Sequence, residues 1–127
     1  MKFYLCEICG NLVDLINVGR GQLVCCGEPM KELIPKTNEE GDEKHLPVVT
    51  MNSNKLNVKV GSVPHPMTEE HYIDWICIHY NNKVKRAKLN HTDNPEASFD
   101  ISEDFDVLEV YSYCNVHGLW KTEYRNK

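Results

Sequence analysis

The sequence predicts a mainly β protein in two parts: a short metal-stapled module at the N-terminus, then an antiparallel β-sandwich or small barrel. Three observations carry that expectation. Four of the six cysteines lie within the first 26 residues. A polar, acidic, glycine-containing stretch, "KTNEEGDEK", follows "PMKELIP" and reads as a linker with its boundary near residues 36 to 42. Beyond it come about seven short runs rich in Val, Ile, Tyr, Phe and Trp, spaced as the strands of a sandwich are.

The first part is "CEIC" and "CC", that is Cys6, Cys9, Cys25 and Cys26, with glycines at 10, 19, 21 and 27. A segment this short buries too little apolar surface to fold alone, so a metal staple is the physical expectation. In Cys-x-x-Cys, two thiolates from one turn can occupy two corners of a tetrahedron. A zinc ribbon is the plain structural alternative, but a ribbon repeats the Cys-x-x-Cys loop, whereas here the second half is the adjacent pair Cys25-Cys26. Vicinal ligands should distort the tetrahedron. Iron is favoured over zinc at this site, although ligand softness does not separate the two. A vicinal disulfide at Cys25-Cys26 is the minor alternative.

In the second part the predicted strands are "HLPVVTMN", "KLNVKVGSV", "HYIDWICIHY", "KVKRAKLN", "EASFDI", "DVLEVYSYC" and "GLWKTEYR". "KLNVKV" alternates strictly, with Leu56, Val58 and Val60 on one face and Asn57 and Lys59 on the other. Asn81-Asn82 and Asp93-Asn94-Pro95 supply turns. There is no strong amphipathic helix, long repeat or low-complexity tract.

Composition narrows the function classes. The 127 residues are 41% hydrophobic and 26% charged, which is ordinary for a globular chain. No apolar run approaches the roughly 18 residues that span a bilayer, and "MKFYLCEICG" lacks the apolar stretch of a signal peptide, so the cytoplasm is the expected compartment. In a reducing compartment, cysteines hold metal or do redox work more often than they form disulfides. The net charge of -5 argues against a nucleic-acid or anionic-membrane partner, because phosphate contacts need clustered Lys and Arg.

A second constellation starts from "YSYCNVHGLW", in which a strand-like run ends in Cys114 and His117. A cysteine there can simply fill core. A histidine three residues later makes a shared metal ion the sharper reading. His65 stands between Pro64 and Pro66, which preset its backbone. His71 heads "HYIDW", and His45 sits where the linker enters the sandwich. His79 and His91 fit the plainer reading of core or surface residues. Four histidines and one cysteine would leave an octahedral ion one open position, where substrate can bind, and ferrous iron suits such a set. Blue copper is the competitor, but it would leave two histidines unused. Backbone N–H groups within Asn115 to Gly118 are expected to hydrogen-bond the Cys114 sulfur, with Gly118 allowing a close approach.

With both constellations read, the chain resembles desulfoferrodoxin, the two-iron class of superoxide reductase. "CEICGN", "LVCCGEPM", "EKHLPV", "VGSVPHPM", "HYIDW" and "YCNVHGLW" stand in that family's order along nearly the whole chain. The resemblance implies a desulforedoxin-like iron site at Cys6, Cys9, Cys25 and Cys26 in residues 1–36. It implies a second, catalytic iron held by His45, His65, His71, His117 and Cys114 in an immunoglobulin-like domain, residues 37–127. It also implies a homodimer, reduction of superoxide to hydrogen peroxide, and a rubredoxin-type electron donor. Of the residues preceding His45, the resemblance gives Lys44 the attraction of superoxide and Glu43 a place at the sixth position of the oxidised iron. On composition alone both are solvated linker charges. Two departures stand out: Cys77 has no ligand role in the family and reads as core, and "LNHTDNPEASF" replaces the usual Pro-Gly turn, with His91 on its surface. The rival classes are an electron carrier using only the thiolate site and a zinc-stabilised interaction module.

Overall fold

A computed structural model describes residues 1–41 and 43–126. Asp42, in the expected linker, and Lys127, at the end of the expected second domain, lie outside the described residues. The elements among the described residues are all strands, and the chain divides into two compact units, Met1–Ile34 and Pro35–Lys127.

In the first unit, β1 (Phe3–Leu5) lies between β2 (Leu12–Asp14) and β5 (Lys31–Leu33), both antiparallel to it. A two-residue hairpin joins β3 (Val24–Cys25) to β4 (Glu28–Pro29). Its turn residues, Cys26 and Gly27, both take positive φ, at 54° and 75°, the backbone sense of a tight hairpin. Phe3 and Cys6 are the buried apolar side chains here, while Ile8, Ile16, Val18 and Val24 stay exposed. So little burial leaves the unit dependent on another source of stability.

The second unit is a sandwich, and its two sheets stay separate instead of closing into a barrel. One sheet has the order β10 (Glu96–Asp100), β7 (Lys55–Val60), β6 (Pro47–Asn52). The other runs β12 (Gly118–Arg125), β11 (Val107–Cys114), β8 (Ile73–Tyr80), β9 (Lys83–Lys88). These are the seven strands that the sequence predicts, in an immunoglobulin-like arrangement. The alternation in β7 buries Leu56, Val58 and Val60 completely, and they pack with Ile76, Ile78, Leu108 and Val110. Asn81 and Asn82 both adopt positive φ in the β8–β9 hairpin, as their type predicts. Cys77 is fully buried.

Two features aim this fold at one end. Pro47 pairs with Val60 and Cys114 with both Ile73 and Gly118, so the start of β6 and the end of β7 lie together, as do the starts of β8 and β12 with the end of β11. The β11–β8 register slips between Tyr113 and Cys114, since Tyr113 faces Trp75 but Cys114 faces Ile73. Such a bulge redirects the side chain at its edge.

The segment read as a linker is bonded into the second unit. Lys36 N–H donates to Leu119 O and Lys36 O accepts from Lys121 N–H, both at 2.9 Å. Further on, the Glu39 carboxylate accepts from the N–H groups of His45 (2.8 Å) and Leu46 (3.0 Å).

Candidate metal centres

In the first unit, ligand atoms of Cys6, Cys9, Cys25 and Cys26 lie within 4.8 Å of one another. The first pair sits on a turn closed by Gly10 N–H to Cys6 O and Cys6 N–H to Asn11 O, each 2.8 Å. The second pair sits on the β3–β4 hairpin, where the left-handed backbone of Cys26 turns two consecutive sulfurs toward one centre. Among the described residues no cysteine is in a disulfide, Cys25 and Cys26 included.

The thiols are electrically unequal. The Cys9 N–H, 3.5 Å from Cys6 Sγ, is the main cause of a Cys6 thiol lowered to about 7. Cys9, then Cys6 and Cys25, push Cys26 up to about 12, and Cys9 likewise raises Cys25. The Cys6 thiolate forms readily, whereas those of Cys25 and Cys26 are opposed. A cation at the centre removes that opposition, because a coordinating thiol is deprotonated outright.

In the second unit, ligand atoms of His45, His65, His71, Cys114 and His117 also lie within 4.8 Å of one another. The four imidazoles form a closed circuit. Ring centroids are 4.7 Å apart for His45–His65, 4.8 Å for His65–His71, 5.1 Å for His71–His117 and 4.8 Å for His117–His45, all edge to face. Cys114 is fully buried, His45 and His65 nearly so, while His117 is exposed.

Each ligand is held by its neighbours. His65 Nδ1 is 2.8 Å from Pro66 O, which fixes its proton on Nδ1 and leaves Nε2 as the free lone pair. Thr68 caps the turn carrying His71 through His71 N–H to Thr68 Oγ1 (3.1 Å). Asn115 ties that turn to the Cys114 loop: its Oδ1 accepts from Tyr72 N–H (2.8 Å) and its Nδ2 donates to Glu70 O (2.9 Å). The carbonyl of His45 accepts from buried Ser112 (3.2 Å), and the His45 ring stacks on Trp120, centroids 4.5 Å apart and planes at 10°. Sequence reasoning passes over Glu39, Ser112 and the side chain of Asn115. Only the tertiary bonds mark them.

The donor chemistry fits a metal ion. His65 Nε2 and His71 Nε2 are buried without a hydrogen-bond partner, and His45 Nε2 faces His117 Nδ1 at 3.1 Å. Unpartnered buried nitrogens are costly unless something takes their lone pairs. Burial pushes the His65 imidazole down to about 4 and lowers His45 as well, so both are neutral ligands at neutral pH. Burial also raises the Cys114 thiol, opposed by the His117 N–H, 3.3 Å from its sulfur. That bond is the sulfur contact expected of the loop. Gly118 has a different reason from the one expected: an added Cβ would meet nothing within 4 Å, and what the position requires is its φ of +87°.

Glu43 stands over the two less buried rings, with carboxylate oxygens 3.6 Å from His71 Nδ1 and from His117 Nδ1. It lines a cleft with Lys36, Glu40, Gly41, His45 and His117. Lys44 is half-buried beside it. The two remaining histidines stay outside the cluster: His79 pairs with Glu109 at 2.9 Å, and His91 lies near the Tyr72 ring.

The family model described as Desulfoferrodoxin matches residues 37–123, and that of the Desulfoferrodoxin N-terminal domain matches residues 1–33. The chain belongs to the desulfoferrodoxin family. It is 49% identical to a desulfoferrodoxin homolog of Archaeoglobus fulgidus over 122 residues, 96% of each chain. It is 35% identical to a superoxide reductase of Thermococcus kodakarensis, covering 72% of this chain and 96% of that one. Among solved structures it resembles the superoxide reductase from Treponema pallidum, with a TM-score of 0.81 and 33% identity, covering 95% of this chain and 96% of that one. With such relatives the chain is an oxidoreductase, and its four-cysteine and four-histidine, one-cysteine groups fit two iron sites. Among the described residues no helix is long and apolar enough to cross a membrane.

Proposed function

We propose that this chain is a superoxide reductase. Superoxide, one electron and two protons give one hydrogen peroxide, at a ferrous iron held by His45, His65, His71, His117 and Cys114. The observation that carries the reading is the convergence of four imidazoles and a buried cysteine on one point, with a carboxylate and a cleft on the exposed side. The relatives named superoxide reductase support it.

Iron bound there supplies one-electron chemistry, strengthened by an anionic sulfur ligand. The protein does the rest. The imidazoles, supported by Pro66 O, Thr68, Asn115 and Trp120, would hold the iron with little rearrangement. The His117 N–H tempers the charge on the Cys114 sulfur. Lys44 attracts the anionic substrate, and Glu43, already beside His71 and His117, covers the site in the oxidised state. Exposed Glu40 and His117 leave the cleft open to solvent, from which both protons would come.

In this reading, residues 1–36 are a desulforedoxin-like iron-binding domain at Cys6, Cys9, Cys25 and Cys26, and residues 37–127 are the catalytic domain. An external donor of rubredoxin type returns the electron. The exposed Ile8, Ile16 and Val18 suit a homodimer, and six cysteines outside any disulfide suit the reducing cytoplasm. Peroxide formed per superoxide consumed, with a donor present, tests the activity. A reductase approaches one, whereas a dismutase gives one half and would reject the proposal.

A further inference from the structure

Lys36 is the first residue of the acidic segment read as a linker. In the fold it is the lysine among the residues lining the cleft, whereas Lys44 does not line it. Its backbone is fixed on both sides by the bonds to Leu119 O and Lys121 N–H. Its Nζ lies 5.0 Å above the Trp120 ring, and Trp120 in turn stacks on the ligand His45 at 4.5 Å. An ammonium over an indole face is held there by the ring quadrupole. Within the same cleft, Glu40 Oε1 is 3.2 Å from Lys36 Nζ, with side chains 43% exposed for Lys36 and 65% for Glu40. An ion pair this exposed is weak and opens easily.

The net charge of -5 repels any small anion approaching the molecule as a whole. Capture therefore depends on the local field at the cleft, where Glu40 and Glu43 add negative charge. We infer that Lys36 is a steering residue for the small anionic substrate, that Glu40 is its counterweight, and that the balance of this pair sets the rate of capture. The inference rests on the superoxide reductase reading and adds a second cation to Lys44. It requires the two partners to act with opposite sign, which a merely structural ion pair would not do.

The test uses the full iron-loaded chain and three variants, Lys36→Gln, Lys36→Arg and Glu40→Gln. The first readout is the rate of ferrous-iron oxidation by pulsed superoxide at two ionic strengths. A unit charge roughly 10 Å from its target in water changes an encounter by about twofold. Lys36→Gln should therefore be slower by about twofold at low salt, Lys36→Arg unchanged, and Glu40→Gln faster by about twofold. Screening acts on the same attraction, so salt should slow Glu40→Gln more than the wild type and Lys36→Gln less. The second readout needs no turnover: azide, a small anion, is titrated into the oxidised protein by absorption. Its dissociation constant should rise about twofold in Lys36→Gln and fall in Glu40→Gln. Equal rates and salt slopes in all four proteins, or both neutralising variants shifting the same way, would overturn the inference. A wild type that consumes no superoxide would instead sink the functional reading, and the azide titration would then decide the role of Lys36 alone.

Discussion

The two ligand groups are assembled from opposite starting points. In Met1–Ile34 the cysteines sit on tight turns around a core of little more than Phe3, and their sulfurs resist joint ionisation. In Pro35–Lys127 the ligands hang on a sandwich whose core takes in Cys114 but none of the histidines, and neighbours already orient the His65 and His45 rings. The lesson is that similar clustering of donor atoms has different physical meaning. One centre would supply the stability that its unit lacks, whereas the other is a donor set, with buried unpartnered imidazole nitrogens, that the sandwich itself brings together.

Metal removal should expose that contrast with the largest effect. Structural thiolate metal sites supply folding free energy of roughly 10 kcal/mol or more, far beyond what a 34-residue unit can replace. Backbone amide spectra of the metal-free chain should lose the dispersed signals of residues 1–34 and keep those of the sandwich. Dispersed signals from both units would break the comparison.

Gly61→Ala tests that donor set from within the sandwich. Gly61 has φ +90°, and a Cβ there would run into the Val63 carbonyl oxygen and lie 2.7 Å from that of Lys44, in the segment that delivers His45. Left-handed strain alone costs of order 1–3 kcal/mol, and the clash adds to it. Urea unfolding of the sandwich should shift accordingly and iron retention at its centre should fall. Unchanged values would mean that this segment yields freely.

A smaller change is expected from Glu39→Ala, which frees two N–H groups at His45 and Leu46. Hydrogen bonds to a charged group contribute about 1.5–3 kcal/mol each in favourable cases, and partial exposure reduces that here. Iron release on chelation should accelerate, with Glu39→Gln retaining part of the effect. An unaltered release rate would show that the strap does not orient His45.

The smallest effect concerns pH. Burial alone would raise the Glu109 carboxyl, but Lys121 at 2.6 Å and His79 at 2.9 Å outweigh it and hold the group at about 2. Its folded value lies below the ordinary 4.5, so its contribution is present above about 4.5 and is lost as pH falls toward 2. Denaturation of the sandwich between these values should be less pH-dependent in Glu109→Gln. Identical profiles would remove Glu109 from the account of acid stability.

Legibility in the sequence followed the strength of local constraint. The seven sandwich strands are readable because alternation and asparagine turns are local signals, as in Lys55–Val60 and Asn81-Asn82. The strands of the first unit are two or three residues long and carry no period to read. Cysteine and histidine draw attention by their chemistry, so the members of both clusters stand out by residue type and spacing. Glu39, Asn115 and Lys36 do not, because a polar residue in a loop acquires its role only from what it touches. The β11–β8 bulge is equally silent in the sequence, since one slipped residue leaves composition unchanged.

The most direct test of the division of labour pairs Cys9→Ser with Cys114→Ser in the iron-loaded chain and measures peroxide formed per superoxide consumed with an electron donor present. Cys9→Ser should lose the absorption of the thiolate-only iron and keep a ratio near one, while Cys114→Ser should keep that absorption and lose superoxide reduction. A folded Cys9→Ser protein without reductase activity, or a Cys114→Ser protein that retains it, would contradict the account.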